Sequence, residues 1–165
     1  MPDPQRDTLH GTAPDTTPDT TPARLATVRR YLAALHASDT ATLVDCFEPQ
    51  GQVHSPFLGT VPAPEFFPRL AQASQRSVIT VLDLFCSVPG AEGGDAPEAG
   101  GGLRVAAWFR YDWTLQDGRE LTFTCVDVFS FAAGSTRIAQ MHICYDTHPL
   151  REQVGDKYAP RPAVG

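Results

Sequence analysis

No run of basic residues occurs in this chain beyond the pair Arg29-Arg30. Its 13 basic residues are scattered among 19 acidic ones, giving a formal net charge of −6. The electrostatic footprint that holds a phosphate backbone is missing, so nucleic acid is not an expected partner. No apolar stretch approaches the roughly 20 residues that span a bilayer, so no membrane partner is expected either. The opening Met1-Pro2-Asp3-Pro4 has neither the basic nor the apolar segment of a secretory leader. Cysteine is sparse: Cys46, Cys86, Cys125 and Cys144 lie far apart with no C-x-x-C pair. Three of them sit in apolar runs, the pattern of buried, reduced thiols in a cytoplasmic protein. H-E-x-x-H and G-x-S-x-G are missing too, so neither a metal, a cofactor nor a serine nucleophile is announced.

What the chain does have is a core. Of its 165 residues 42% are hydrophobic and 19% charged, enough for one globular domain. Residues 1–21 contain the near-repeat Pro14-Asp15-Thr16-Thr17 and Pro18-Asp19-Thr20-Thr21, which cannot bury apolar surface and reads as a disordered tail. The domain then runs over 22–158, interrupted at 89–102 by a Gly/Ala/Glu/Pro-rich flexible loop.

From Ala23 to Ala37 the apolar residues Leu25, Val28, Tyr31, Leu32 and Leu35 fall in one helical sector, with Tyr31 at its edge. Asp39 is placed to cap a short second helix through Phe47. A short strand is expected at Gln52 to Ser55, and Pro64 and Pro68 crowd the start of a third helix at Glu65 to Ser74. After Gln75 the period becomes two. Strands are predicted at Ser77 to Val88, Leu103 to Leu115, Glu120 to Phe131 and Arg137 to Asp146, with a hairpin turn at Asp117-Gly118. Three helices followed by four successive strands imply an α+β fold with its helices on one face.

The strand Glu120 to Phe131 carries the most informative pattern. Its odd positions are Leu121, Phe123, Cys125, Asp127, Phe129 and Phe131, a single carboxylate among apolar neighbours. Burying that group unpaired is costly, so Asp127 must be protonated, paired or at the edge of a polar cavity, and its pKa should rise. A structural Asp bonded to a nearby hydroxyl and a functional carboxyl both satisfy this pattern. Tyr31, with a hydroxyl that also needs a partner, is the natural companion. On the strand to Leu115, alternation turns Arg110 and Asp112 outward. On the last strand His142, Cys144, Asp146 and His148 share a face opposite the core positions Ala139, Met141, Ile143 and Tyr145, and no metal signature supports a site there.

Four segments resemble the ketosteroid isomerase and SnoaL-like polyketide cyclase branch of the nuclear-transport-factor-2-like superfamily. They are YLAALHASD from Tyr31 to Asp39, VHSPF from Val53 to Phe57, VDV from Val126 to Val128 and RIAQM from Arg137 to Met141. The resemblance implies a cone-shaped curved antiparallel sheet wrapped around N-terminal helices, a cystatin-like roll, usually a homodimer, with a deep pocket for a small apolar ligand. The expected pocket residues are Phe57, Tyr111, Trp113, Phe123, Met141 and Tyr145. By the same resemblance Tyr31 and Asp127 match the pair that donates hydrogen bonds to a substrate oxyanion. The family's catalytic base precedes a Pro-Phe pair, and here Ser55 precedes Pro56-Phe57. A serine hydroxyl without an activating partner is not a base near neutral pH, and neighbouring His54 points to the opposite strand face. Arg110-Tyr-Asp112 echoes related epoxide hydrolases, but the matching place on the last strand, near Ile143, holds no carboxylate. Three functions follow as alternatives: a ligand-binding protein, an isomerase, cyclase or hydratase on an apolar carbonyl compound, and an interaction module with little pocket.

Overall fold

The computed structural model describes residues 19–87 and 104–148. The loop expected at 89–102, the tail except for its last three residues, and the stretch 149–158 lie outside the described residues. Helix α1 covers Thr21–Ala37 and α2 Thr40–Asp45; β1 (Phe47–Ser55) and β2 (Gly59–Pro62) precede α3 (Ala63–Ala73), and β3 (Ser74–Cys86), β4 (Val105–Leu115), β5 (Glu120–Phe131) and β6 (Ile138–Tyr145) complete the fold.

Local chemistry sets the helix starts. The Asp19 side chain accepts the Thr21 N–H at 2.9 Å, and Pro22 sits in the first turn, where its missing N–H costs nothing. Asp39 caps α2, accepting from the N–H and the hydroxyl of Thr42 at 3.0 and 2.6 Å. That helix stops at Asp45, so Phe47 opens β1 instead of closing α2. The strand predicted as Gln52 to Ser55 therefore gains five residues. β2 escapes sequence reasoning because it is four residues long and ends in proline. It is formed by the turn after Ser55, where Gly59 adopts φ 72°.

The six strands form one curved, unclosed sheet in the order β2-β1-β6-β5-β4-β3. The expectation of a wholly antiparallel sheet is corrected at one seam: β1 runs parallel to β6. No short turn links these two strands, so hairpin geometry does not dictate their direction. Register shifts between Phe47 and Gln52, Val81 and Asp83, and Ser130 and Phe131 mark irregularities that bend a sheet. The last of them brings Ile138, not Ala139, into the core.

The helices pack on the concave face over Phe47, Val53, Phe109, Phe129 and Met141. At the sheet's β3 edge, the Ile79 N–H donates to Nδ1 of His36 near the end of α1 at 3.1 Å. Two of the four cysteines, Cys46 and Cys125, are buried, whereas Cys86 and Cys144 are exposed on edge and outer positions; all four are free thiols.

One burial was not expected. Arg24, not Leu25, occupies the α1 position facing the β5–β6 turn, and it is only 4% exposed. Its guanidinium donates to the carbonyls of Ser135 and Ala132, each at 2.9 Å, and lies over the Phe131 ring at 5.2 Å. This fork ties the start of α1 to the turn that sets the β6 register. Arg24→Ala should cost about 2–4 kcal/mol in urea denaturation, and Arg24→Lys should recover less than half, because an ammonium cannot make both planar contacts.

Candidate ligand site

Between the concave face of the sheet and helices α1 and α3 lies a cavity of about 430 Å³, within the size range of small-molecule pockets. Strand alternation builds its sheet wall. On β5 the inward residues from mouth to floor are Leu121, Phe123, Cys125 and Asp127, a span of roughly 20 Å along the strand. On β4 they are opposed by Trp113, Tyr111 and Phe109 across Leu121, Phe123 and Cys125 respectively. On β6, Tyr145 faces Cys125 and Ile143 faces Asp127. The helical wall comes from Tyr31 and Leu35 of α1 and from Phe66, Arg69, Leu70 and Ala73 of α3, residues at helical spacing on one face.

At the floor, Tyr31 Oη donates to Asp127 Oδ2 at 3.1 Å, and Cys125 Sγ donates to Asp127 Oδ1 at 3.2 Å. Asp127 is 2% exposed. Burial raises its pKa to about 7, against the opposing pull of the Cys125 and Tyr31 hydrogen bonds. Burial first, and then the Asp127 charge, push the Tyr31 hydroxyl and the Cys125 thiol well above their ordinary values, so both remain protonated donors. The Tyr31 ring is held edge-on to Phe129, Phe67 and Phe47 at centroid distances of 5.1, 6.1 and 6.3 Å.

Toward the mouth the walls are aromatic. Trp113, Tyr111, Phe123, Tyr145 and Phe57 follow one another at 5.8, 5.4, 4.7 and 6.5 Å between centroids. The Tyr111 and Ser77 hydroxyls share a 2.8 Å hydrogen bond. The Trp113 indole N–H donates to Ser74 Oγ at 2.8 Å, which itself donates to the Leu70 carbonyl, tying the wall to α3.

Of the residues singled out from sequence, Tyr31, Asp127, Ser55, Phe57, Tyr111, Trp113, Phe123 and Tyr145 all line this cavity. Met141 does not. It lies opposite Phe129, fully buried in the core behind the cavity, because its place on β6 is beyond the floor set by Asp127. Ser55 stands at the mouth with its Oγ accepting the N–H groups of Phe57 and Leu58 at 3.2 and 3.3 Å, a turn-forming role. His54 faces away from the cavity and stacks on His142 with centroids 4.0 Å apart. Arg110 and Asp112 pair with each other at 3.0 Å on the outer face. The face carrying His142 and Cys144 brings no three metal-ligating groups together among the described residues. Sequence reasoning passed over Cys125 as a partner of Asp127, although two-residue spacing on one strand face was the signal. The α3 contribution was likewise legible in the Phe66, Leu70, Ala73 spacing.

The sequence profile described as SnoaL-like domain matches residues 28–141, well over half of the chain. This chain belongs to the SnoaL-like domain family. No curated protein matches it. Solved structures similar to this SnoaL-like domain include an NTF2-like protein of unknown function from Burkholderia pseudomallei, at 19% identity over 81% of this chain and 98% of that one, with a TM-score of 0.60. The epoxide hydrolase/cyclase-like enzyme SalBIII, described in pyran ring formation in the polyether salinomycin, aligns at 17% identity over 76% and 92% with a TM-score of 0.57. A type 2 hexachlorocyclohexane dehydrochlorinase aligns at 10% identity over 77% and 85% with a TM-score of 0.59. These likenesses establish the fold.

The floor carboxyl has a consequence for stability. In the unfolded chain it ionises near 3.8, in the folded domain near 7. Between those values the folded state holds the extra proton, so stability falls as pH rises from 4 to 7 and levels off above. The loss from this group is roughly 4 kcal/mol. Denaturant titrations across pH 4.5–8 should show that slope in the wild type, and Asp127→Asn should flatten it.

Proposed function

We propose that this SnoaL-like domain binds a small, planar, largely apolar molecule that places an oxygen at the Tyr31–Asp127 pair, without the catalytic base of the ketosteroid isomerase branch. The observation that carries this reading is a hydrogen-bonded tyrosine and carboxyl at the inner end of a largely apolar, aromatic-walled cavity. Below pH 7 Asp127 is protonated, so the Tyr31 hydroxyl is able to turn from Asp127 to an entering oxygen while the Asp127 O–H donates beside it; two donors converging in a water-poor site favour an oxygen carrying negative charge. Aromatic rings along the walls suit a flat conjugated body. Apart from Asp127, the cavity lining holds no carboxylate and no imidazole among the described residues. Ser55, at the family's base position, is committed to two backbone N–H groups.

An enzyme acting on an apolar carbonyl compound is the second reading. It is favoured by Asp127 itself, whose pKa of about 7 suits proton transfer at neutral pH. The described enzymes among the structural neighbours, SalBIII and the dehydrochlorinase, point the same way. The open cavity speaks against a pocket-poor interaction module.

The partner we assign to the outer sheet face is a second copy of the chain. Trp108 and Phe85, together with Leu82 of the β3 bulge, leave large apolar side chains 42–49% exposed there. Buried Nε2 of His54, on the same face, has no partner among the described residues. Free thiols support a cytoplasmic setting. No helix among the described residues is long and apolar enough to cross a membrane.

Sedimentation equilibrium should give a dimer for the wild type and a monomer for Trp108→Glu. In fluorescence titrations, 2-naphthol and equilenin-type phenols should bind the wild type, with affinity falling about 10-fold in Tyr31→Phe. Isomerisation of a β,γ-unsaturated steroid ketone should be negligible in the wild type. Ser55→Asp should raise it by ~10²- to 10⁴-fold, the usual worth of general-base catalysis. Absence of phenol binding by either protein would remove the donor-pair reading.

A further inference from the structure

Tyr145 differs from the other tyrosines of the described chain. Tyr31 bonds to Asp127 and Tyr111 to Ser77, whereas the Tyr145 hydroxyl has no hydrogen-bond partner among the described residues. Its ring is nonetheless fixed, tilted against Phe123 at 4.7 Å and stacked with Phe57 at 6.5 Å. It lines the cavity and is half-buried, and burial holds its hydroxyl above the ordinary tyrosine range, so it is an O–H donor at every physiological pH. A rigid aromatic ring that presents an unused donor inside an apolar pocket is poised to meet an acceptor that enters with a ligand.

The register puts Tyr145 on the same wall as the floor carboxyl. Asp127 pairs with Ile143 and Cys125 with Tyr145, so Asp127 and Tyr145 are diagonal neighbours on the same concave face, with Cα positions roughly 7–8 Å apart. The aromatic wall between Tyr111 and Tyr145 gives a planar ligand a surface to lie against.

We propose that Tyr145 is a specificity-determining residue that donates to a second ligand oxygen, so that the pocket selects planar conjugated ring systems carrying two oxygens, one at the Tyr31–Asp127 floor and one at Tyr145. The inference rests on the ligand-binding reading above and adds the second contact to it.

The test compares 2-naphthol, which has one oxygen, with 2,6- and 2,7-dihydroxynaphthalene, by calorimetric titration of the full chain and of Tyr145→Phe. The wild type should bind at least one dihydroxy isomer about 10-fold more tightly than 2-naphthol. In Tyr145→Phe the dihydroxy isomers should bind no more than about threefold more tightly than 2-naphthol, since the ring remains and only the donor is gone. Equal affinity of the wild type for all three probes would overturn the proposal, as would a preference that survives in Tyr145→Phe. Failure of the wild type to bind 2-naphthol or either isomer would overturn the ligand-binding reading as well. The two failures are therefore distinguishable.

Discussion

A carboxyl group with no access to bulk water must be solvated by the protein, and in this domain two side chains do it. Tyr31 and Cys125 each donate to one oxygen of Asp127. Tyr31 arrives from the buried face of α1, 96 residues away in sequence, so its hydrogen bond exists only if α1 is seated on the sheet at one height. Three edge-on aromatic contacts hold that height from the tyrosine side. Arg24 holds it two turns earlier, by gripping the carbonyls of the β5–β6 turn. Fold and site therefore share one constraint. What positions the helix also completes the solvation of the buried acid.

The remainder of the cavity follows from strand alternation and from α3. Because β4, β5 and β6 are consecutive neighbours in one sheet, their inward residues form aligned rungs, and aromatic side chains occupy the rungs nearest the mouth. Helix α3 closes the opposite side, and its Leu70 carbonyl, through Ser74, fixes the Trp113 indole. The result is a polar floor under a long apolar slot. In the binding mode proposed above a ligand enters end-on, since a charged or strongly dipolar oxygen gains most at the floor and the hydrocarbon body gains most along the walls.

Much of this was legible in the sequence because burial leaves a periodic trace. The two-residue alternation around Asp127 located both the strand and its odd carboxyl, and the helical sector around Val28 placed Tyr31 at the edge of the buried face of α1. Asp39 announced its cap. What was not legible depended on long-range geometry. The parallel seam between β1 and β6 has no local signal, since nothing near Gln52 records the direction of a strand some 90 residues on. The burial of Arg24 looks like a solvated charge until the β5–β6 turn is placed over it. Met141 carries the right alternation for a wall residue, and only the depth of the floor removes it from the cavity. Ser55 could be matched to the family's base position from sequence. Its commitment to the turn at Phe57 and Leu58 appears only with coordinates.

The claim on which the rest depends is that a ligand oxygen meets Tyr31 and Asp127 at the floor of the cone. A crystal structure of the domain grown with 2-naphthol at pH 6 addresses it most directly. The naphthol oxygen should lie within about 3 Å of both Tyr31 Oη and an Asp127 carboxyl oxygen, with the rings along Phe123 and Tyr145. A naphthol seated with its oxygen toward the mouth at Arg69, or bound on the outer face at Trp108 with the cavity floor untouched, would contradict it.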